Sequence, residues 1–139
     1  MTMKPIHTAT INGQLVRFFK TPINDGKPDF PWNSTDDLMK SCGLPSEMIE
    51  YFMRGSKDDH GDVYRTIATP DGLVTIAPHC VGQGFTQAMV DVGRAPESFV
   101  PQYTIACFMA SKCSPEMSME GVMAAFHRHS DGVTTKKGA

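Results

Sequence analysis

No apolar run in the chain approaches the roughly 20 residues that cross a bilayer, and Met1–Ile6 lacks the apolar core of a signal peptide. No membrane partner is expected, and the expected location is cytoplasmic. Charge of one sign is also missing. The 13 Lys and Arg against 15 Asp and Glu leave a net of −2, which excludes attraction of nucleic acid by bulk charge alone. There is one tryptophan. The four cysteines, Cys42, Cys80, Cys107 and Cys113, form no Cys-x-x-Cys pair. A chain of 139 residues that is 40% hydrophobic buries a core without disulfides, so free thiols are expected, mostly buried as small hydrophobes. No Gly-Lys-Ser/Thr phosphate loop, Gly-x-Ser-x-Gly elbow or His-Glu-x-x-His helix is present. Methionine is abundant, with 10 residues, and reads as core filler or as a soft contact surface.

Local signals are clearer. Asn12-Gly13 separates the β-formers His7–Ile11 and Gln14–Phe19, and Asn-Gly is the strongest short hairpin signal because both turn residues need positive φ. Thr69-Pro70-Asp71-Gly72 separates Val63–Ala68 from Leu73–Ala77 and predicts a second hairpin. Between them, Pro22–Pro31 reads as a loop. Ser34 can cap a short helix over about 35–42, with Asp37 in its first turn and Gly43 as its stop. A second short helix follows Pro45, with Met48, Ile49, Phe52 and Met53 on one face. Helices are then predicted over Val81–Val92 (Phe85, Ala88, Met89 and Val92 inward), from Pro101 to about Cys113 (Ile105, Phe108 and Met109 inward), and after Ser114-Pro115-Glu116, with Met119, Val122, Met123 and Phe126 as its stripe. The expected class is α+β: two antiparallel β-hairpins with short helices between them and a helical C-terminal part. Residues 1–129 form one domain and 130–139 a flexible tail.

Charge is distributed unevenly along this frame. Residues 31–62 hold three cations against seven carboxylates, a net of −4, whereas residues 1–30 hold four cations against two carboxylates, a net of +2. Solvated faces are the plain reading. The functional reading takes Arg17, Lys20 and Lys27 as candidate phosphate contacts on nucleic acid, and Trp32, Asp36, Asp37, Glu47 and Glu50 as candidate contacts to a basic protein partner. Trp32 reads equally as a core lid over the helix at 35–42.

Metal and catalytic readings are weaker. Asp58-Asp59-His60-Gly61-Asp62 places oxygen ligands close together, but position 12 counted from Asp58 is Thr69, so the EF-hand pattern fails. His127, His129 and Asp131 would need further ligands such as Cys80, Cys107 or Cys113 to hold zinc, and histidines at i and i+2 of a helix do not face each other. His79-Cys80 is a base beside a thiol, but adjacent residues rarely present both side chains to one point. Gly82-Gln83-Gly84 can let backbone approach an anion. No metal, cofactor or enzymatic activity is expected.

The segments Ile11–Phe19, Pro28-Asp29-Phe30-Pro31-Trp32, Asp36-Asp37-Leu38 and Gly43-Leu44 together resemble the amino-terminal domain of phage antirepressors, the BRO-N family. The resemblance covers about residues 10–93, with Val63–Ala77 and Val81–Val92 matching that family's second hairpin and following helix. It rests on turn, cap and core positions, so no functional residue carries over. It implies a small α+β module of phages, plasmids or other mobile elements, associated with DNA binding and transcription regulation. The slightly acidic chain departs from that pattern. Two functions are therefore expected in order: a regulatory module that binds DNA, and a protein-interaction or inhibitor module that blocks a basic surface. A homodimer is expected because several apolar helices need cover.

Overall fold

In the computed structural model, residues 2–23, 25–51, 63–113, 120–121 and 123–125 are described. The Asn12-Gly13 turn closes as its chemistry requires, with φ of 51° and 78°. It joins β1 (His7–Ile11) to β2 (Gln14–Phe19) in the register Ile11 opposite Gln14 through His7 opposite Phe18. The second hairpin joins β4 (Arg65–Thr69) to β5 (Gly72–Ala77), with Thr69 opposite Gly72. The Thr69 hydroxyl fixes that turn, accepting from Asp71 N at 3.2 Å and donating to the Gly72 carbonyl at 2.7 Å.

A strand absent from the sequence reading unites the hairpins. β3 (Trp32–Ser34) pairs antiparallel with β2 on one side and β5 on the other, giving one five-stranded sheet in the order β1-β2-β3-β5-β4. The fold is therefore α+β with a wholly antiparallel sheet. Three residues are too few to display period-2 alternation, which is why β3 is invisible in the sequence.

β3 stops because Ser34 is both its last residue and the N-cap of α1 (Thr35–Ser41). Ser34 Oγ accepts from Asp37 N at 3.2 Å. The strand thus turns helical while β2 and β5 continue on either side. In an antiparallel ladder alternate residues point their N–H groups away from a given partner strand, so Arg17 and Thr75 would be left with unpaired donors where β3 ends. The first turn of α1 fills the fork. Asp37 Oδ2 accepts from Arg17 N and Asp36 Oδ2 accepts from Thr75 N, each at 3.0 Å.

Residues 46–51 form a further helical turn. α2 (His79–Asp91) and α3 (Phe99–Ser111) begin two residues earlier than the sequence predicts, and Pro101 still falls in the first turn of α3, where its missing N–H costs nothing. α3 packs on β1 and α2. One core lies on that face of the sheet: Ile11, Val16 and Phe18 against Leu38, Phe99, Tyr103, Ala106 and Ala110. Phe19, Trp32, Val74 and Ile76 form a second core, covered by Met3 and Ile23.

The inward face of α3 requires a correction. Ile105, Phe108 and Met109, expected in the core, are 63%, 61% and 44% exposed, and Phe99, Tyr103, Ala106, Cys107 and Ala110 are buried instead. The helix is apolar on both sides and carries no charge, so its periodicity could not choose between them. In α2, Phe85 and Met89 pack inward as expected, but Ala88 and Val92 face solvent. Phe52, Met53, most of the third C-terminal helix and the expected tail lie outside the described residues.

Candidate functional site

Some of the residues expected to meet DNA or a partner are tied into the fold, and others stand exposed. Arg17 and Asp37 form a two-pronged ion pair, Nε to Oδ2 at 2.8 Å and Nη2 to Oδ1 at 3.0 Å. Their side chains are 22% and 6% exposed. The Asp37 hydrogen bond, more than its charge, raises the Arg17 guanidinium pKa further. A phosphate would have to displace Asp37 to reach Arg17. Asp36 and Asp37 plug the fork of the sheet. Glu47 and Glu50 stand exposed on the helical turn at 46–51, and Lys20 and Lys27 are also exposed. Trp32 is buried in β3, but in the cluster of Phe19, Val74 and Ile76 rather than as a lid over the helix at 35–42, and its Nε1 donates to Asp29 Oδ2 at 3.1 Å.

A buried polar chain runs beneath α2. The Asn33 amide, at the centre of β3, donates through Nδ2 to the Ala77 and Pro78 carbonyls at 3.2 and 3.3 Å and to the Tyr103 hydroxyl at 3.3 Å. Tyr103 O–H in turn lies 3.3 Å from the His79 carbonyl, and His79 Nδ1 lies 3.0 Å from the Tyr103 oxygen and 3.2 Å from Cys107 Sγ. Placing the proton on Nδ1, with Tyr103 donating to the carbonyl, gives the Tyr103 oxygen and Cys107 Sγ one shared N–H donor. The His79 ring stacks on Tyr103 at 5.5 Å between centroids and meets Phe30 at 5.2 Å. The histidine's thiol partner is therefore Cys107, not the adjacent Cys80, which is exposed. Burial, with a contribution from Asp29, pushes the Cys107 thiol up to about 12, and burial likewise raises Tyr103 well above the ordinary phenol value. A neutral thiol beside a neutral phenol is a clasp between α2, α3 and β3, not an activated nucleophile.

The thiols give a direct check. Cys80 and Cys113 are exposed, whereas Cys42 is half-buried and Cys107 buried. Burial raises Cys42 to about 11 and Cys107 to about 12, against an ordinary 9.0. Iodoacetamide at mildly alkaline pH should label Cys80 and Cys113 quickly and the other two only on unfolding; fast labelling of Cys107 contradicts the clasp. The raised values also fix the direction of pH linkage. The stability they contribute is complete below about pH 9 and is lost as pH rises toward 11 and 12, because the unfolded thiols ionise first. The urea midpoint should therefore fall above pH 9, and less so in Cys107→Ala.

Between α1 and α2, with Val63 and Tyr64 on a further side, lies a cavity of about 370 Å³. Leu38, Met39, Phe85 and Met89 give it an apolar lining, and Cys80 and Gly84 stand at its exposed rim. Asn33 and Thr35 are its buried polar lining residues. The glycine signal at Gly82-Gln83-Gly84 was legible, but its purpose was not. Gly82 lets α2 approach the Asn33 amide and Tyr103 hydroxyl so closely that a Cβ would collide with both, while a Cβ on Gly84 would meet nothing within 4 Å.

Among the described residues, no group of three or more His, Cys, Asp or Glu side chains could hold a metal ion. The loop at 58–62 and His127, His129 and Asp131 lie outside them. Among the described residues no helix is long and apolar enough to cross a membrane. Comparison of the chain with protein-family models, with curated proteins and with solved structures gives no match.

Proposed function

We propose that this chain is a non-catalytic regulatory module that acts as a homodimer paired through the outward face of α3. The exposed stripe Ile105, Phe108 and Met109 carries this reading. The three sit at i, i+3 and i+4, so they form one patch, and large side chains clustered in water mark an interaction surface rather than scattered exposure. The occupant follows from charge. No residue of α3 is acidic or basic, and Lys112, just beyond its end, lays its ammonium over the Phe108 ring at 4.8 Å; a second copy therefore meets a mainly apolar stripe, and a two-fold pairing is the commonest closed assembly. A basic partner would find no carboxylate on α3 to complement.

The antirepressor resemblance supports the regulatory class, and the protonated thiol and phenol of the buried clasp support a non-catalytic one. The DNA-binding alternative has Arg17 engaged by Asp37, so fewer cations support it than the sequence promised. Phe108→Glu tests the pairing. It places two like charges at the dimer axis, and sedimentation velocity should report a monomer. Thermal unfolding of the dilute protein should be nearly unchanged, because Phe108 is already in water. A variant that sediments like the parent overturns the assignment of this face.

A further inference from the structure

We infer that the cavity between α1 and α2 binds a small, neutral, mainly apolar molecule that carries a hydrogen-bonding head. Two independent observations converge on it. The cavity, at about 370 Å³, falls within the size range of small-molecule sites and has their character, an apolar lining with few polar groups. Asn33 Oδ1 and Thr35 Oγ1 are buried and have no hydrogen-bond partner among the described residues. Both residues line the cavity, and both are more than nine-tenths buried. Native structures rarely leave such atoms unpaired. Asn33 Nδ2 is already committed to Ala77, Pro78 and Tyr103, which fixes the amide orientation and leaves its oxygen as an acceptor that needs a donor. The Thr35 hydroxyl can donate to an acceptor beside it.

The implied head is therefore a donor next to an acceptor, as in an amide, and the implied body is a ring or short aliphatic group among Leu38, Met39, Phe85 and Met89. Among the described residues no lysine, arginine, aspartate or glutamate lines the cavity, so a charged ligand would find no compensation from them. This site does not depend on the pairing of α3.

Benzamide is a probe with both features, and N,N-dimethylbenzamide keeps its ring and carbonyl but has no N–H. Each is titrated into the full ¹⁵N-labelled chain and followed by amide chemical shifts. Benzamide should give saturable shifts among α1, α2 and residues 63–64, and the dimethyl analogue should bind about tenfold more weakly, the cost of one unmade hydrogen bond to Asn33 Oδ1. Gly84→Leu, at the cavity rim where an added Cβ meets nothing within 4 Å, should abolish the benzamide shifts while leaving the protein folded. Thr35→Val should raise the melting temperature of the free protein, because it removes an orphaned hydroxyl, and should weaken benzamide. Absence of saturable shifts, equal affinity for the two compounds, or shifts indifferent to Gly84→Leu would each overturn the inference.

Discussion

Asp37→Ala lowers the stability of the protein by about 3 kcal/mol, the size expected when one partner of a largely buried, hydrogen-bonded ion pair is deleted. The carboxylate does two things at once. Its two oxygens take the Arg17 guanidinium, and Oδ2 also accepts from Arg17 N. Removing it leaves a half-buried guanidinium without this partner and reopens the fork between β2 and β5 where β3 has ended. The partial exposure of Arg17 lets water recover some of that loss, which keeps the figure toward the lower end. Asp37→Asn keeps the shape and an oxygen for Arg17 N but not the charge, and should cost about half as much. Asp36→Ala removes only the acceptor for Thr75 N and should cost about 1 kcal/mol. Urea unfolding of the three variants checks the ranking. A loss below about 1 kcal/mol for Asp37→Ala would mean that the pair is a surface ornament and that α1 does not plug the sheet.

Gly82→Ala should destabilise by about 2 kcal/mol, although alanine in a helix interior is ordinarily favoured over glycine by about 1 kcal/mol. The new methyl group collides with the Asn33 amide and the Tyr103 hydroxyl. Neither can yield freely, because Asn33 is tied to two backbone carbonyls and Tyr103 is stacked on His79. Relief requires breaking the Asn33–Tyr103 hydrogen bond or lifting α2 from β3. Gly84→Ala is the matched control two residues away on the same helix. Nothing lies within 4 Å of its Cβ, so it should stabilise by roughly the helix-propensity difference of about 0.5–1 kcal/mol. Thermal unfolding should move in opposite directions for the two variants; a gain in both would dissolve the clasp as a determinant of how α2 docks.

The contrast between these positions and the hairpins marks where sequence reading works. Asn12-Gly13 and Thr69–Gly72 act within a few residues, and so does the Ser34 cap, so their conformations were legible to the residue. β3 was not, because a three-residue strand is specified by the two strands that flank it. Asp36 and Asp37 read as surface charge for the same reason: their acceptors serve Arg17 and Thr75, which are far away in the chain. His79 was noticed for its neighbour Cys80, whereas its thiol partner lies one helix later at Cys107. α3 failed differently. A helix with apolar residues on every side gives no phase, and Ile105, Phe108 and Met109 occupy helical spacing as regular as that of the buried Tyr103, Ala106, Cys107 and Ala110. Only the sheet, by presenting β1 to one of the two faces, decides which is core. That failure is also what exposes the proposed interface, since the stripe the sequence assigned to the core is the one left in water. The cavity was out of reach altogether, because its lining comes from β3, α1, α2 and residues 63–64.

The mass of the unmodified protein in solution tests this account most directly. Sedimentation equilibrium over a range of loading concentrations should report a species of twice the 15.2 kDa chain mass that dissociates on dilution and is lost in Phe108→Glu. A chain that sediments as a single 15.2 kDa species at every concentration would contradict the account, and would leave the outward face of α3 without the partner assigned to it.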